Sequence, residues 1–235
     1  MRILALALIA AAGPAFAQMP PALPPVPTIQ TTGQAVLDVK PDQAKLDVAV
    51  VSQAQTAEQA AAQNASRVDA VLKALRGAGG TSAELQTVSY SLEPNYKYPK
   101  PGGAPEISGY TARNTVRATT SDLARVGALI DAALGAGANQ VERVEFTLKN
   151  DAEARAGALR EAVLKARASA QAIASALGLR ILRVLEVQQG GGLQPVRPVM
   201  MGMAREAAVA APPTQIEAGT IEVRAEVTLR VEVAQ

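Results

Sequence analysis

The sequence contains no cysteine and no histidine, and these two absences exclude much of the chemistry that proteins use. Without a thiol or an imidazole, there is no Cys–His or Ser–His nucleophile pair and no zinc site of ordinary ligands. Disulfide bonds are excluded too, so the core alone must stabilise the fold. We therefore predict that the protein is not an enzyme and needs no cofactor. The alternative is an enzyme that relies on Asp, Glu, Ser or Lys alone.

Tryptophan is also absent and aromatic residues make up only 3% of the chain, whereas alanine is abundant. The core should therefore pack closely around small side chains. A chain of 235 residues can form one domain or two small subdomains. Lys and Arg number 23 against 21 Asp and Glu, with both signs interspersed, which gives a net charge of +2. So small a balance provides no basic patch, and no nucleic-acid partner is expected.

The first residues carry the pattern of an export signal. Arg2 precedes an unbroken apolar run over residues 3–12, and the small-x-small cleavage pattern occupies residues 15–17. The alternative is an N-terminal membrane anchor, but an anchor needs about 20 apolar residues and this run is about half as long. We predict a signal peptide over residues 1–17, cleaved after Ala17, and no transmembrane segment in the mature chain.

Proline marks the next segment, residues 18–27, which contains five prolines and is typical of an extended leader. We interpret it as a spacer that keeps the fold away from the processing site. The body of the chain, residues 28–235, is predicted to form the folded domain. A Gly- and Pro-rich stretch within it, about residues 190–215, is expected to be a flexible loop.

Strand and helix patterns follow one another through the body in the order β-β-α-β-β-α-β-α-β-β. Hairpins outnumber β-α-β crossovers in this order. It therefore predicts an α+β fold with a mainly antiparallel sheet or sheets and three helices packed on one face. Gly33 in the first strand indicates a bulge or a close approach of another backbone. The predicted stripe of the first helix comprises Ala57, Ala61, Asn64, Val68, Val71 and Leu75.

The third predicted helix, about residues 151–177, is the longest and is rich in alanine. Acid-first pairs four residues apart, Asp151 with Arg155 and Glu161 with Lys165, are expected on its exposed side. Its spacing would allow a second helix to come close, but we favour a helix that lies on its own sheet. The predicted buried stripe comprises Ala152, Ala156, Leu159, Val163, Ala166, Ala170, Ile173 and Leu177.

The last predicted strand, residues 221–233, would be about 43 Å long at about 3.3 Å per residue. Strands of this length leave long sheet edges, which proteins usually cover by pairing or by assembly. Together with the alanine-rich helix, this feature predicts a homo-oligomer.

All four tyrosines lie within residues 90–110. Tyr96 and Tyr98 flank Lys97 beside a segment rich in Pro and Gly, and these three residues are candidates for binding an envelope glycan or an extended peptide. The interpretation that we favour is that the aromatic rings pack on their own hairpin, because strands are enriched in aromatic residues.

Met200, Met201 and Met203 lie between prolines in the predicted loop. Thioethers at this spacing can ligate Cu(I) or absorb oxidants reversibly. We favour a mobile loop or an interface contact, a use to which methionine is well suited, and we predict no metal site. The sequence contains no GxSxG, P-loop or HExxH motif, so no catalytic residue is predicted.

A set of short patterns runs in order from about residue 29 to residue 233. They are Thr31-Thr-Gly33, Pro41-Asp42-x-Ala44, Thr56-Ala57, Asn64, Thr87, Pro94-x-Tyr96, Gly109-Tyr110-x-x-x-Asn114, Leu129-Ile-Asp131-Ala-Ala133, Gly137-Ala-Asn139, Phe146-x-Leu148, Ala176-Leu-Gly178 and Ile216-x-x-Gly219. On these residues the chain resembles the SIMPL-domain family of bacterial periplasmic and outer-membrane-associated proteins, whose domain has no known function. It departs from the family at Gln34, where a glutamate is expected, and over residues 190–215.

The resemblance implies an α+β fold and a periplasmic location, with outer-membrane association in some members. It also implies, for some members, large ring- or channel-like oligomers, a part in oxidative-stress defence or the role of an immunogenic antigen. We predict a non-enzymatic exported protein that acts in the cell envelope through self-assembly and is linked to that defence. The alternative is a binding module for envelope peptides or glycans. With no cysteine, such a defence cannot use thiol chemistry.

Overall fold

The structure is a computed structural model that describes residues 26–80, 83–98, 104–190 and 214–235. The predicted signal peptide, most of the Pro-rich leader and most of the loop predicted over residues 190–215 lie outside these ranges. Met200, Met201 and Met203 also lie outside them, so the favoured loop or interface contact stays a prediction and the thioether site stays its alternative.

The described residues form strands and helices in the predicted order, and the α+β class is confirmed. A short 3₁₀ turn, Leu123–Arg125, leads into the second helix. The bounds are β1 Thr28–Val39, β2 Gln43–Ala54, α1 Ala57–Gly79, β3 Ala83–Lys97, β4 Glu106–Thr120, α2 Val126–Gly135, β5 Gln140–Thr147, α3 Ala152–Ala176, β6 Arg180–Gly190 and β7 Ile221–Ala234.

The strands form two antiparallel sheets, one of three strands in the order β1-β7-β6 and one of four in the order β3-β4-β2-β5. The first and last strands of the body therefore pair with each other. Their register runs without a shift from Thr28 opposite Glu232 to Val39 opposite Ile221. This continuous pairing excludes a bulge at Gly33 and leaves the close approach as the correct prediction.

Helices α1 and α2 pack on one face of the four-stranded sheet. The hydroxyl of Thr56 caps α1 by accepting a hydrogen bond from the backbone N–H of Gln59 at 3.3 Å. Ala60 is buried where the sequence predicted Ala57 and Ala61, and the rest of the predicted stripe is buried as expected. The largest fully buried apolar side chains of this core are Leu46, Leu75, Leu129, Val48, Val50, Val71, Val116 and Val126.

Helix α3 lies on β1 and β7 of the three-stranded sheet, as the interpretation of a helix on its own sheet predicted. Every second residue of β7 is buried beneath it. The buried positions of α3 are all alanines spaced four residues apart, namely Ala158, Ala162, Ala166, Ala170 and Ala174. A helix whose contact ridge is alanine can approach a sheet closely, because no side chain longer than a methyl group separates the two backbones.

The buried stripe predicted for α3 is wrong at most of its positions. Ala166 and Ala170 are buried as predicted and Leu159 is half-buried. The exposed members of the predicted stripe are Ala152, Ala156, Val163, Ile173 and Leu177. The spacing of the larger apolar residues therefore did not identify the face that contacts the sheet.

Gly33 explains why alanine replaces larger residues on this face. A β-carbon placed on Gly33 would lie 2.1 Å from the carbonyl oxygen of Ala162 and 2.4 Å from the nitrogen of Ala166. The hydroxyl of Thr31 donates to the Ala166 carbonyl at 2.8 Å, which holds helix and strand at this short separation. Only small residues fit there, and Val163, Leu164, Ile173 and Leu177 of α3 are exposed.

Both acid-first pairs of α3 are formed as predicted. Arg155 pairs with Asp151 at the start of the helix, and Lys165 Nζ lies 2.8 Å from Glu161 Oε1. The hydrogen bond from Arg155 lowers the pKa of Asp151 below its ordinary value of 3.8. Because the folded-state pKa is lowered, this contribution to stability is fully present above pH 3.8 and is lost as the pH falls through the lowered pKa.

Replacing Arg155 with methionine should return the pKa of Asp151 toward 3.8, because its largest stabilising hydrogen bond is removed. An NMR titration of the Asp151 carboxyl carbon between about pH 2 and about pH 6 measures this change. Lys165→Met removes the other acid-first pair of the helix and should leave the Asp151 midpoint unchanged. Equal midpoints in wild type and Arg155→Met would contradict the assignment.

Candidate functional site

The tyrosine segment that contains the candidate binding residues lies at the end of β3. Tyr96 is 54% exposed and Tyr98, just beyond the strand, is 69% exposed. Lys97 is the last residue of β3, and Tyr96 pairs with Ile107 of β4 in the ladder. The three residues lie at one end of the β3–β4 hairpin, and binding there stays the alternative to aromatic packing on the hairpin.

Within the described ranges, no group of three or more acidic, histidine or cysteine side chains is placed to hold a metal ion. In the same part of the chain, no helix is both long enough and apolar enough to cross a membrane.

The outer face of the four-stranded sheet is charged, and its charges pair with one another. The guanidinium of Arg117 donates from Nε and Nη2 to the two carboxylate oxygens of Asp47, each at 2.7 Å. The hydrogen bond to Asp47 raises the pKa of Arg117. Nearby, Arg113 contacts both Glu142 and Gln140. Charge-assisted hydrogen bonds of this kind, above all the two between Arg117 and Asp47, contribute to the stability of the sheet.

A cavity of about 420 Å³ lies on the opposite face, between α1 and the β3–β4 hairpin. We call it the α1 cavity. The strands contribute Tyr90 and Asn114 to its wall. One flank of α1, with residues three and four positions apart, contributes Ala61, Asn64, Ala65, Val68, Asp69 and Leu72. The two alanines leave space that longer side chains at the same positions would fill.

Asn64 is a fully buried polar residue in the middle of α1. Its Nδ2 donates to the carbonyl oxygens of Val50 at 2.8 Å and Ala112 at 3.1 Å. Both amide protons are used, and a flipped amide would set its oxygen against two carbonyl oxygens, so the orientation is fixed. The Asn64 Oδ1 is buried without a hydrogen-bond partner among the described residues. An unpaired buried acceptor costs about 1–3 kcal/mol.

Asn114 lies on the neighbouring strand β4. It lies opposite Val50 of β2 and Tyr90 of β3. Its Oδ1 is also buried with no hydrogen-bond partner in the described part of the chain. Asn64 and Asn114 therefore both line the cavity, while their buried oxygens lie behind its surface, out of contact with water.

The sequence analysis did not identify this site. It placed Asn64 in an otherwise apolar stripe, and that position was the available signal, because asparagine is a poor helix former and costs free energy when buried. Asn64 and Asn114 both occur among the patterns that carry the family resemblance, but those patterns do not show that the two residues meet. Only the sheet register brings Asn114 and Tyr90 beside α1.

The fold and the site define an α+β protein with two antiparallel sheets and an amide-lined cavity under α1. The chain matches the SIMPL family, described as "Protein of unknown function (DUF541)", over residues 29–231. It therefore belongs to that family, and the resemblance found in the sequence is confirmed.

Individual relatives agree with this assignment. The chain is 30% identical to the "26 kDa periplasmic immunogenic protein" of Brucella melitensis over 206 residues. The matched region covers 86% of this chain and 82% of the relative. It is 31% identical to "Uncharacterized protein YggE" of Edwardsiella ictaluri over 76% of each chain. The Escherichia coli K12 protein of the same name is 29% identical over 83% of this chain and 79% of its own. None of these names describes an enzyme.

Proposed function

We propose that this is an exported periplasmic protein of the cell envelope that acts through self-assembly and not as an enzyme. The predicted signal peptide over residues 1–17 and the printed name of the Brucella relative support the location. The resemblance to the family adds ring- or channel-like form, outer-membrane association and oxidative-stress defence as the setting of such an assembly. The observation that carries the proposal is the apolar edge of the three-stranded sheet.

That edge is strand β6, which pairs only with β7 among the strands of the described residues. Four aliphatic side chains of this one strand, Leu182, Val184, Leu185 and Val187, are each at least 40% exposed. Because α3 lies over β1 and β7, it leaves β6 largely uncovered. Sheet edges that combine free backbone groups with apolar side chains are surfaces that proteins normally cover.

Helix α3 adds further apolar area next to this sheet. Its outward side carries Val163, Leu164, Ile173 and Leu177, all exposed. They are exposed because the close contact between Gly33 and the backbone of α3 leaves room only for alanine on the face of the helix that contacts the sheet. The same packing that holds the helix to its sheet therefore leaves large aliphatic side chains available to a partner.

The charges of β6 suit a second copy of the same strand. Arg183 and Glu186 lie opposite Glu232 and Arg230 of β7, and Val184 lies between them in the ladder. The register shifts between Val184 and Glu186, so Arg183, Val184 and Glu186 occupy successive positions of the ladder. If a second β6 paired antiparallel with Val184 opposite Val184, each Arg183 would therefore face a Glu186 of the other copy. The edge is therefore self-complementary both in charge and in its apolar residues.

Light scattering behind size-exclusion chromatography tests this proposal. The wild-type mature protein should run as a discrete oligomer at micromolar concentration. Glu186→Arg should lower the mass, because it places like charges opposite each other across the pair. The quadruple variant Arg183→Glu/Glu186→Arg/Arg230→Glu/Glu232→Arg should restore the mass, since it exchanges the charges along the edge and keeps opposite charges between β6 and β7.

Glu84→Arg is the matched control, a charge reversal on β3 of the other sheet, and it should not change the mass. A wild-type monomer would contradict self-assembly itself. A wild-type oligomer that Glu186→Arg leaves intact would contradict the β6 edge as the interface while supporting assembly through another surface.

A further inference from the structure

Strand β3 forms an edge of the four-stranded sheet, and one side of it is free. Among the strands of the described residues it pairs only with β4. The register of this pairing shifts between Thr87 and Ser89 and again between Asn95 and Tyr96, so the pairing is regular over residues 89–95. The main-chain N–H and C=O groups on the free side of such a run form a template for the pairing of another chain.

Pro94 indicates which main-chain groups of this run point to the free side. Proline has no N–H, and a sheet accepts it where its nitrogen faces solvent at an edge. The next residue agrees, because the carbonyl oxygen of Asn95 accepts a hydrogen bond at 3.1 Å from the hydroxyl of Ser108, which belongs to β4. Main-chain groups alternate in direction along a strand. Leu92 and Tyr90 therefore present their N–H and C=O groups to the free side, like Pro94.

The side chains of the same two residues lie on the α1 side of the sheet. Tyr90 lines the α1 cavity, and Leu92 shares its face because residues two apart along a strand do so. Their side chains are 53% and 37% exposed. The cavity adds Ala61, Ala65 and Leu72 of α1 to this apolar surface, and its volume of about 420 Å³ is within the range of small-molecule sites. An added strand would therefore place its own side chains on this face against an apolar surface, which favours aliphatic residues there.

The opposite face of the run carries an unpaired negative charge. Glu93 lies opposite Thr111 in the ladder, and no ion pair involves it within the described residues. Arg113, opposite Ser91 on the same face, already contacts Glu142 and Gln140. Opposite charges across a strand pair stabilise the pair. An added strand should therefore carry basic side chains on this face.

A second copy of β3 does not provide such side chains. Residues 83–96 contain no Lys and no Arg. If two copies of β3 paired antiparallel about Ser91, each Glu93 would face the uncharged Ser89 of the other copy. The charge at this edge therefore favours a different chain, with basic residues, over self-pairing.

We propose that the free edge of β3 binds an extended peptide of alternating aliphatic and basic residues by antiparallel strand addition. The main-chain groups of Tyr90 and Leu92 hydrogen-bond to the peptide, an aliphatic side chain of the peptide enters the α1 cavity, and a basic side chain on the other face pairs with Glu93. This edge belongs to the four-stranded sheet, so the peptide site does not depend on assembly through β6.

Fluorescence polarisation of a labelled peptide, titrated with the mature wild-type protein, tests the proposal. The peptide KVKLKVK has lysines on one face when extended and its valines and leucine on the other, and saturable binding is expected. Three altered peptides separate the contributions. N-methylation of the three aliphatic residues removes the N–H groups that would pair with β3, alanine in place of leucine leaves the cavity empty, and glutamate in place of lysine reverses the charge. Each should bind at least about tenfold more weakly than the parent peptide.

Variants of the protein test the same three contributions. Leu92→Pro should weaken binding by about tenfold or more, because it removes an N–H group from the free side, and circular dichroism should show an intact fold. Ala65→Leu should have a similar effect, since it fills the cavity from an exposed helix position, and Ala62→Leu, exposed outside the lining, is its matched control. Glu93→Lys should weaken binding, whereas Glu84→Lys, on the same strand but beyond the register shift at residues 87–89, should not.

Four results would overturn the proposal. Absence of saturable binding would mean that the edge does not accept such a peptide. Equal affinity for the N-methylated peptide would exclude strand addition, and unchanged affinity in Ala65→Leu would exclude the cavity. A mass by light scattering that falls in Leu92→Pro without any peptide would mean that a second copy of the chain occupies the edge instead. Binding that persists in Glu186→Arg is the expected result, because the peptide site and the β6 edge lie on different sheets.

Discussion

Replacing Gly33 with alanine should destabilise the protein by about 3 kcal/mol, at the upper end of the cost of overpacking a core. The new β-carbon would lie 2.1 Å from the Ala162 carbonyl oxygen and 2.4 Å from the Ala166 nitrogen. Both atoms belong to the backbone of α3, so no side-chain rotation relieves the contact. The helix must move away from β1.

That movement would disrupt more than one contact. The hydroxyl of Thr31 would lose its 2.8 Å hydrogen bond to the Ala166 carbonyl. The fully buried Ala158, Ala162 and Ala166 would separate from the apolar residues of β7 beneath them. Because these side chains are only methyl groups, they cannot extend to fill the gap that opens.

Chemical denaturation monitored by circular dichroism measures the free energy of unfolding. Gly77→Ala is the matched control: a β-carbon on this exposed residue of α1 meets nothing within 4 Å. It should stabilise the protein by about 0.5–1 kcal/mol through helix propensity. A Gly33→Ala variant within about 0.5 kcal/mol of wild type would show that α3 is not held this closely.

Local patterns in the sequence were enough to predict the elements and their order. Alternation with period two predicted β1 and β7, and both are strands over the predicted residues. The pairing of β1 with β7 was not predicted, because the partners lie at opposite ends of the domain and local periodicity does not report distant contacts. The number of sheets was left open for the same reason.

The stripe of α3 failed for a different reason. Hydrophobic spacing ranks residues by side-chain size, and it therefore selected Val163 and Ile173 over Ala162 and Ala174. The close approach at Gly33, more than a hundred residues earlier in the chain, reversed that preference. Gly33 was recognised as a point of close approach, but the sequence did not show which element approaches it.

The α1 cavity could not be predicted, because it depends on hydrogen-bond partners and on strand register. Asn64 could be placed on the buried face of α1 from spacing alone. Its unpaired oxygen becomes apparent only from the structure, in which both N–H groups of its Nδ2 donate to carbonyl oxygens of β2 and β4. Likewise, Asn114 and Tyr90 reach the cavity through the register of the β3–β4 hairpin.

Replacing Arg117 with methionine should cost about 2 kcal/mol of stability. Asp47 is only 6% exposed, and Arg117 satisfies both of its oxygens at 2.7 Å. Removing one partner of a fully buried pair costs about 3–5 kcal/mol, because the remaining charge is unpaired. The value here is smaller, since the Arg117 side chain is 32% exposed and Arg143 lies opposite Asp47 in β5.

The double variant Asp47→Leu/Arg117→Met distinguishes an ion-pair effect from a packing effect. With both charges replaced by apolar groups of similar size, no charge remains buried, so the stability should recover to within about 1 kcal/mol of wild type. Denaturation of the wild type, both single variants and the double variant completes a double-mutant cycle. If the two single costs simply add in the double variant, Asp47 and Arg117 are not coupled, and the charged face of the sheet stabilises the fold by packing alone.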